Sequence, residues 1–442
     1  MYRSIITELR RWKLQENRKP LVLNGARQVG KTYILKSFGR SDFQNVVYVN
    51  CDRQHDVGNM FVDYDISRIL RNISAITGEP ITPGKTLVIL DEIQEVPAAL
   101  AALKYFCEEA PEYHIAVAGS LLGIALHDHS SFPVGKVNML TLYPMTFDEF
   151  LLALDKQAYR DILCQKDWDS MQALRHSFVE LLRQYYYVGG MPEAVLSYAT
   201  TGDIWEVRRI QNEILAAYRN DISKHAPASQ IARINMVWNG IPAQLARDNK
   251  KFIFGAVKKG ARAKDYETAI QWLVDAGIVV VVNRVNKAVL PLKFYEDASA
   301  FKLFLHDCGL LGALAQTPPA EMLVGSRVFE EYKGAFTENY VLQQLRVLPE
   351  TFLYYYTNGD STMEIDFVVQ YGASIVPIEV KAEENLRSKS LATFMKANPQ
   401  MRALRLSMSG FRRQDWLINI PLFAAGISLE AVADEVGGFS GK

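Results

Sequence analysis

Residues 21–38, LVLNGARQVGKTYILKSF, join an apolar run, a loop bounded by two glycines and an amphipathic helical pattern without a break. The loop GARQVGKT has the spacing G-x-x-x-x-G-K-[ST], in the strand-to-helix setting where that spacing cradles phosphate. Gly25 and Gly30 permit the tight backbone path that turns the N–H groups of Ala26, Arg27, Gln28 and Val29 toward an anion, and the helix start adds its dipole. Lys31 is placed to reach the β and γ phosphates of ATP, and the Thr32 hydroxyl to take Mg²⁺. A strand that must feed a helix in this way commits the surrounding chain to an α/β arrangement.

The neighbouring sequence agrees. LVLNG (21–25), NVVYVN (45–50), TLVILDE (86–92) and HIAVAGS (114–120) are short apolar runs separated by helical patterns, the signature of a parallel sheet wrapped by crossover helices. TLVILDE also supplies the acids that a phosphate loop needs. Asp91 suits Mg²⁺ through water, and Glu92 is placed to activate the attacking water. Two adjacent acids at a strand end favour hydrolysis over a kinase-like site, although an ordinary strand ending in a solvated acidic turn has the same letters.

Composition removes several function classes. Lys plus Arg and Asp plus Glu each number 49, so no global field draws the chain to nucleic acid or anionic lipid, and any polyanion contact must be local. No run approaches the roughly 18 apolar residues of a membrane span, and the N-terminal MYRSIITELRRWKLQENRKP has no apolar stretch after its charges. The expectation is a cytoplasmic protein with no membrane partner. Cys51, Cys107, Cys164 and Cys308 are too scattered for a CxxC pair or a disulfide framework, and buried reduced thiols are expected.

At 442 residues the chain exceeds what one core usually fills, and its pattern changes three times. Residues 1–145 carry the P-loop core. Residues 146–228 read as a helical lid or subdomain, broken at Gly189-Gly190, with Pro192 in the first turn of the next helix. Residues 229–295 place helices before GIVVVVNRVNKAVLPL, read as two strands around Asn286-Lys287, which suggests a winged helix among small α+β folds. Residues 296–442 mix a helix at 336–347 with strand-like LYYYT, EIDFVVQ, SIVPIEVK and ALRLSMS, as a second α/β domain would.

With these residues identified, the chain resembles a large prokaryotic family of AAA-type ATPases with a C-terminal domain of unknown function. The shared marks are NGARQVGKT (24–32), ILDEIQ (89–94), AGSLLG (118–123), FPVGKV (132–137), YPMTFDEFL (143–151), GGMPEAV (189–195), FKLFLHDCGLL (301–311), and the FTENYV, EIDFVV and PIEVKA segments. The resemblance implies an ATPase core, a winged-helix-like middle module and a C-terminal restriction-endonuclease-like domain of the PD-(D/E)xK kind. It puts Ser120, at the end of HIAVAGS, where AAA-type ATPases keep a polar sensor. It also brings the prospect of a homo-oligomer in which a neighbouring subunit's cation completes the site, with Lys136 and Arg219 as candidates.

Two further features bear on partners. From Arg247 to Lys264 lie Arg247, Lys250, Lys251, Lys258, Lys259, Arg262 and Lys264, opposed only by Asp248; DNA binding, a solvated helix face and a subunit contact all fit this stretch. In EIDFVVQYGASIVPIEVK, a hairpin turning near Tyr371-Gly372 sets Asp366 beside Glu379, and Lys381 leaves the same face two residues on. Together with Glu338 these residues form a candidate metal-dependent nuclease site, Asp366 and Glu379 holding the metal. A surface ion pair on an amphipathic strand is the plainer reading of E-x-K. Three functions therefore stay open: an ATPase coupled to a DNA-cutting domain, an ATP-dependent binding switch whose nuclease-like domain only docks, and a P-loop small-molecule kinase.

Overall fold

The computed structural model describes residues 1–53, 57–124, 133–247, 250–319, 323, 327–358, 362–382 and 388–436. Phe132 of the FPVGKV segment and Asp248 of the basic stretch lie outside them. Contacts divide the chain into two units, one formed by Tyr2–Tyr143 with Trp272–Ile278, the other by Pro144–Gln271 with Val279–Lys442. The predicted boundaries at 228 and 295 do not divide it, and the helices expected as a lid share a unit with the C-terminal sheet.

In the first unit five strands, β1 (Leu21–Asn24), β2 (Asn45–Asn50), β3 (Thr86–Asp91), β4 (His114–Ala118) and β5 (Asn138–Thr141), form a parallel sheet in the order β2-β3-β4-β1-β5. β3 and β4 are buried at every position, which is why they read as continuous apolar runs. β5 was not legible as a strand because its residues alternate between half-buried and exposed. The register carries the functional consequence. Ala118 is aligned with Asp91 on one side and with Leu23 on the other, so the segments that follow β1, β3 and β4 leave the sheet at one edge. That edge receives Gly25, Glu92 and Ser120.

The helices of this unit include Ile6–Leu14, Lys31–Asp42, Ile66–Thr77 and Pro97–Glu109. Phe38, Ile69, Leu103 and Phe106 are almost fully buried, each worth roughly 1.5–3 kcal/mol against exposure. The packing behind the sheet therefore holds its loop-bearing edge in place.

The second unit begins with helices that include Phe147–Ala153, Arg175–Val188, Pro192–Thr201, Ile204–His225 and Ile231–Leu245. Its sheet has eight strands: β6 (Val279–Val285), β7 (Glu296–Leu305), β8 (Thr351–Thr357), β9 (Glu364–Tyr371), β10 (Ser374–Lys381), β11 (Ala403–Ser407), β12 (Arg412–Arg413) and β13 (Leu417–Pro421). Their order is β12-β13-β11-β10-β9-β8-β6-β7.

The hairpin expected around Asn286-Lys287 does not form. β6 pairs antiparallel with β7, beyond residue 295, and parallel with β8, while residues 292–295 make a 3-10 turn. Pro291 removes a ladder donor from the segment expected as the second strand. β6 and β7 thus belong to the C-terminal sheet rather than to a separate winged-helix module. The hairpin expected around Tyr371-Gly372 does form, with Phe367 opposite Ile378. None of the four cysteines is in a disulfide; Cys51 and Cys308 are buried, but Cys164 is exposed, against expectation. Among the described residues no helix is long and apolar enough to cross a membrane.

Candidate nucleotide site and a second charged cluster

The phosphate loop is built from backbone conformations that few residues adopt. Gly25 has φ +142° and Gly30, which starts the helix Lys31–Asp42, has φ +96°. A Cβ on Gly25 would lie 2.3 Å from the Leu142 carbonyl oxygen just past β5, so glycine is required there by space as well as by conformation. Gln28 also sits at positive φ, 66°. Val29 is fully buried, and the buried Arg3 guanidinium donates to its carbonyl at 3.0 Å and to that of Tyr143, pinning the loop from beneath. Arg3 lies more than twenty residues from the loop, and no local pattern could have pointed to it. Trp272–Ile278 reaches the same loop from elsewhere in the chain: a Cβ on Gly277 would lie 3.2 Å from the Ala26 nitrogen.

Lys31 Nζ donates to the carbonyls of Gly25 at 2.7 Å and Ala26 at 2.9 Å, which holds the ammonium at the mouth of the loop. Burial lowers its pKa to about 8 despite the opposing pull of Glu92 and Asp91. A phosphate brought to it would restore the favoured charge. Thr32 Oγ1 donates to Asp91 Oδ2 at 2.7 Å, and Tyr48 donates its hydroxyl to the same oxygen at 3.0 Å. One hydroxyl and one carboxylate in contact suit Mg²⁺, which takes one or two protein oxygens and completes its shell with phosphate and water. The residues present therefore fit a magnesium–nucleotide ligand.

Glu92 is in the left-handed region, φ 51° and ψ 42°, so its side chain turns off the end of β3. Its Oε2 accepts from Gln94 Nε2 at 2.7 Å and from both the backbone N–H and the hydroxyl of Ser120 at 2.9 Å. Burial raises the Glu92 pKa, but these three donors outweigh it and the net shift is downward, leaving an ionised carboxylate in a fixed position. Ser120 therefore holds Glu92, a contact its proposed place as a sensor did not anticipate. The cleft, 510 Å³, is lined by Thr32, Lys36, Tyr48, Asn50, Arg53, Asp91 and Glu92. Lys36 Nζ lies 3.3 Å from the Tyr48 ring centroid. Sequence reading missed Lys36, Tyr48, Asn50 and Arg53, although NVVYVN carries two of them on the strand beside β3.

The oligomer candidates have local partners: Lys136 pairs with Glu108 at 2.8 Å, and Arg219 donates to Asn239 at 3.5 Å.

In the second unit Glu338, Asp366, Glu379 and Lys381 are brought together as the hairpin reading required, but in different company. Asp366 Oδ2 accepts from the Val380 N–H at 2.8 Å, and Glu379 pairs with Lys381 at 2.7 Å. Glu338 is buried against two ammonium groups: Lys250, and Lys302 at 3.5 Å. Lys302, on β7, also meets Glu364 of β9 at 2.5 Å and is fully buried. Burial disfavours the Lys302 charge, yet Glu338, Glu364 and Asp366 more than compensate and its pKa is raised. Burial, with the Glu338 charge adding to it, pushes Asp366 up to about 7.

Lys250 therefore points inward, which removes it from the basic stretch offered to solvent. Lys258, Lys259, Arg262 and Lys264 remain exposed. Among the described residues no group of three or more His, Cys, Asp or Glu is arranged to hold a metal ion. With each acid engaged by an ammonium or a backbone N–H, the cluster as it stands does not fit a divalent cation. Lys302 and Glu364 were not picked out from the sequence, and Lys250 was read only as part of the basic stretch, though a lysine inside the apolar run FKLFL was a visible break in pattern.

Comparison with known families matches residues 17–151 to an AAA domain, and two further stretches, 179–321 and 333–423, to domains of unknown function (DUF8612 and DUF4143). The stretch similar to an AAA domain thus lies in the first unit except for its last eight residues, 144–151, and the first unit has the parallel sheet and phosphate loop of an AAA-type P-loop ATPase-like fold. No curated protein matches. Similar solved structures include the Walker-type ATPase PABY2304 of Pyrococcus abyssi (14% identity, 71% of this chain and 95% of that one, TM-score 0.45). Others are the Aeropyrum pernix ORC1 protein in complex with DNA (14%, 73% and 95%, TM-score 0.30) and the Thermotoga maritima RuvB Holliday junction branch migration motor (13%, 63% and 89%, TM-score 0.30). At such identities and scores these likenesses say nothing about what this chain binds or does.

Proposed function

We propose that the protein is a Mg²⁺-dependent ATP hydrolase that works as a binding switch, its C-terminal domain docking a partner without cutting it. The observation that carries the hydrolase reading is the connected set Thr32–Asp91 and Glu92–Ser120 at one sheet edge beside Lys31. Thr32 and Asp91 would hold Mg²⁺, which neutralises developing charge on the phosphates. The loop N–H groups from Ala26 to Thr32 and the Lys31 ammonium would hold ATP, and Glu92 would take the proton of the attacking water. Purified protein should release phosphate from ATP only with Mg²⁺ present. Lys31→Ala should weaken binding of a fluorescent ATP analogue about a hundredfold, the worth of a charge-assisted contact to phosphate. Unchanged affinity in Lys31→Ala removes the phosphate loop from the reading.

The cutting alternative draws support from the hairpin that sets Asp366 beside Glu379. Against it weighs the pairing of Glu338 and Glu379 with lysines, which favours docking. Linear and supercoiled DNA incubated with Mg²⁺ or Mn²⁺ should show no cleavage that Asp366→Ala abolishes; such cleavage restores the nuclease reading.

DNA is the partner for which the exposed Lys258, Lys259, Arg262 and Lys264 speak. Each phosphate contact contributes about −0.9 to the slope of log affinity against log salt. Charge reversal at Lys258, Lys259 and Arg262 should weaken binding on unrelated sequences alike and flatten that slope by about 2 to 3. An unchanged slope in an anisotropy titration returns these residues to a solvated face.

A further inference from the structure

In the second unit, acids from three elements converge: Glu338 from the helix Arg327–Leu345, Glu364 and Asp366 from β9, and Glu379 from β10. Several carboxylates in a buried space cannot all stay ionised without a cation among them. A divalent metal is one solution. The structure contains another.

Lys302 is fully buried on β7, and its Nζ lies 2.5 Å from Glu364 and 3.5 Å from Glu338. Nζ meets these oxygens without hydrogen-bond alignment, and Glu338 Oε2 likewise has no aligned donor. The arrangement is what a charge held in place by acids looks like, with geometry set by the strand. The Tyr355 ring, its centroid 5.0 Å from Nζ, faces the same ammonium. Lys250 closes the Glu338 carboxylate from another direction, and Lys381 closes Glu379.

We infer that the Lys302 ammonium is a resident cation that stands in for a divalent metal among Glu338, Glu364 and Asp366, so that a metal site exists in this unit only when Lys302 is removed. The inference rests on the non-cutting reading above and goes further, because it names the residue that closes the site. Its physical basis is substitution of charge. A lysine brings one positive charge and no open coordination positions, so the acids stay together while no water is activated on a metal.

The test uses full-length protein and Mn²⁺ alone, titrated calorimetrically into wild type, Asp366→Ala, Lys302→Met and the double variant Lys302→Met with Asp366→Ala. Wild type and Asp366→Ala should give the same isotherm, since the wild-type acids offer no site. Lys302→Met, which keeps the apolar stem and deletes the charge, should bind Mn²⁺ about tenfold tighter or better, because it leaves buried acids short of a cation. The double variant should lose that gain. Should Lys302→Met be unfolded in chelator, Mn²⁺ at millimolar concentration should restore its circular dichroism. The inference is overturned by Asp366-dependent Mn²⁺ binding in wild type, by a folded Lys302→Met that gains none, or by an unfolded one that Mn²⁺ does not restore. The two readings fail separately. Cleavage of DNA by wild type with Mn²⁺ sinks the docking reading, whereas an inert wild type with an inert Lys302→Met sinks this inference alone.

Discussion

A Glu92→Gln protein should hold ATP within a few-fold of wild type and hydrolyse it about 10²- to 10⁴-fold more slowly, the usual worth of a positioned general base. The two halves of this expectation have separate origins in the structure. Binding depends on the loop from Gly25 to Thr32, and Glu92 makes none of its contacts. Turnover depends on a carboxylate that can take a proton, and glutamine cannot. Gln has the same size as Glu and still offers an oxygen to the Ser120 N–H, the Ser120 hydroxyl or Gln94, so the variant keeps the shape of the site while losing its base. Ser120→Ala is the informative companion. It removes one donor from Glu92 and leaves the backbone one, so turnover should fall by much less than in Glu92→Gln, with ATP affinity unchanged. The measurement is single-turnover phosphate release beside equilibrium binding of a fluorescent nucleotide. Glu92→Gln turning over at the wild-type rate would remove Glu92 from the role of base.

What the sequence made readable was local. GARQVGKT and ILDE each lie within one loop or one strand end, where spacing alone places the side chains, and the structure joins them through Thr32 and Asp91. What it concealed depended on chain crossings. Arg3 reaches Val29, and Gly277 lies against Ala26, across separations that no periodicity spans. β5 escaped because a half-exposed edge strand of four residues has no apolar run. The missing hairpin had a different cause. Asn286-Lys287 is a plausible turn, but β6 finds its partners in β7 and β8, so tertiary pairing overrode the local signal. Lys302 shows the same limit at the second cluster. Asp366, Glu379 and Lys381 could be placed by hairpin register, whereas the cation that changes their chemistry comes from another strand.

Beyond Tyr143, Lys302 and Glu338, which serve the two sites, the marks YPMTFDEFL, GGMPEAV, FKLFLHDCGLL and FTENYV, with the helix that continues it, contribute residues to one buried polar knot within the second unit. At its centre is Asp307, fully buried. Its Oδ2 accepts from the Gly190 N–H at 2.6 Å and from Gln343 Nε2 at 3.1 Å, and its Oδ1 accepts from the Leu310 N–H at 2.9 Å, capping the helix Cys308–Leu314. Gly190 in turn gives its carbonyl to the Met145 N–H at 2.7 Å, and Gln344 accepts from the Phe147 N–H at 2.8 Å. The backbones approach so closely that a Cβ on Gly309 would lie 2.6 Å from the Gly189 nitrogen, and one on Gly189 would lie 2.3 Å from Asp307 Oδ1. Burial raises the Asp307 pKa, and the N–H donors pull it back only in part. Replacing Asp307 by Ala strands two buried N–H groups and an amide, at about 1–3 kcal/mol each, so a loss of roughly 3–5 kcal/mol is expected. Asp307→Asn should cost less but still be felt, because both oxygens now accept and asparagine has only one to offer. Asp203 supplies the contrast: it caps the helix Ile204–His225 from an exposed position, and Asp203→Ala should cost about 1 kcal/mol. Urea unfolding of the three variants, followed by near-ultraviolet circular dichroism, reads the order directly. If Asp307→Ala loses no more than Asp203→Ala, the knot is not what holds these four segments together.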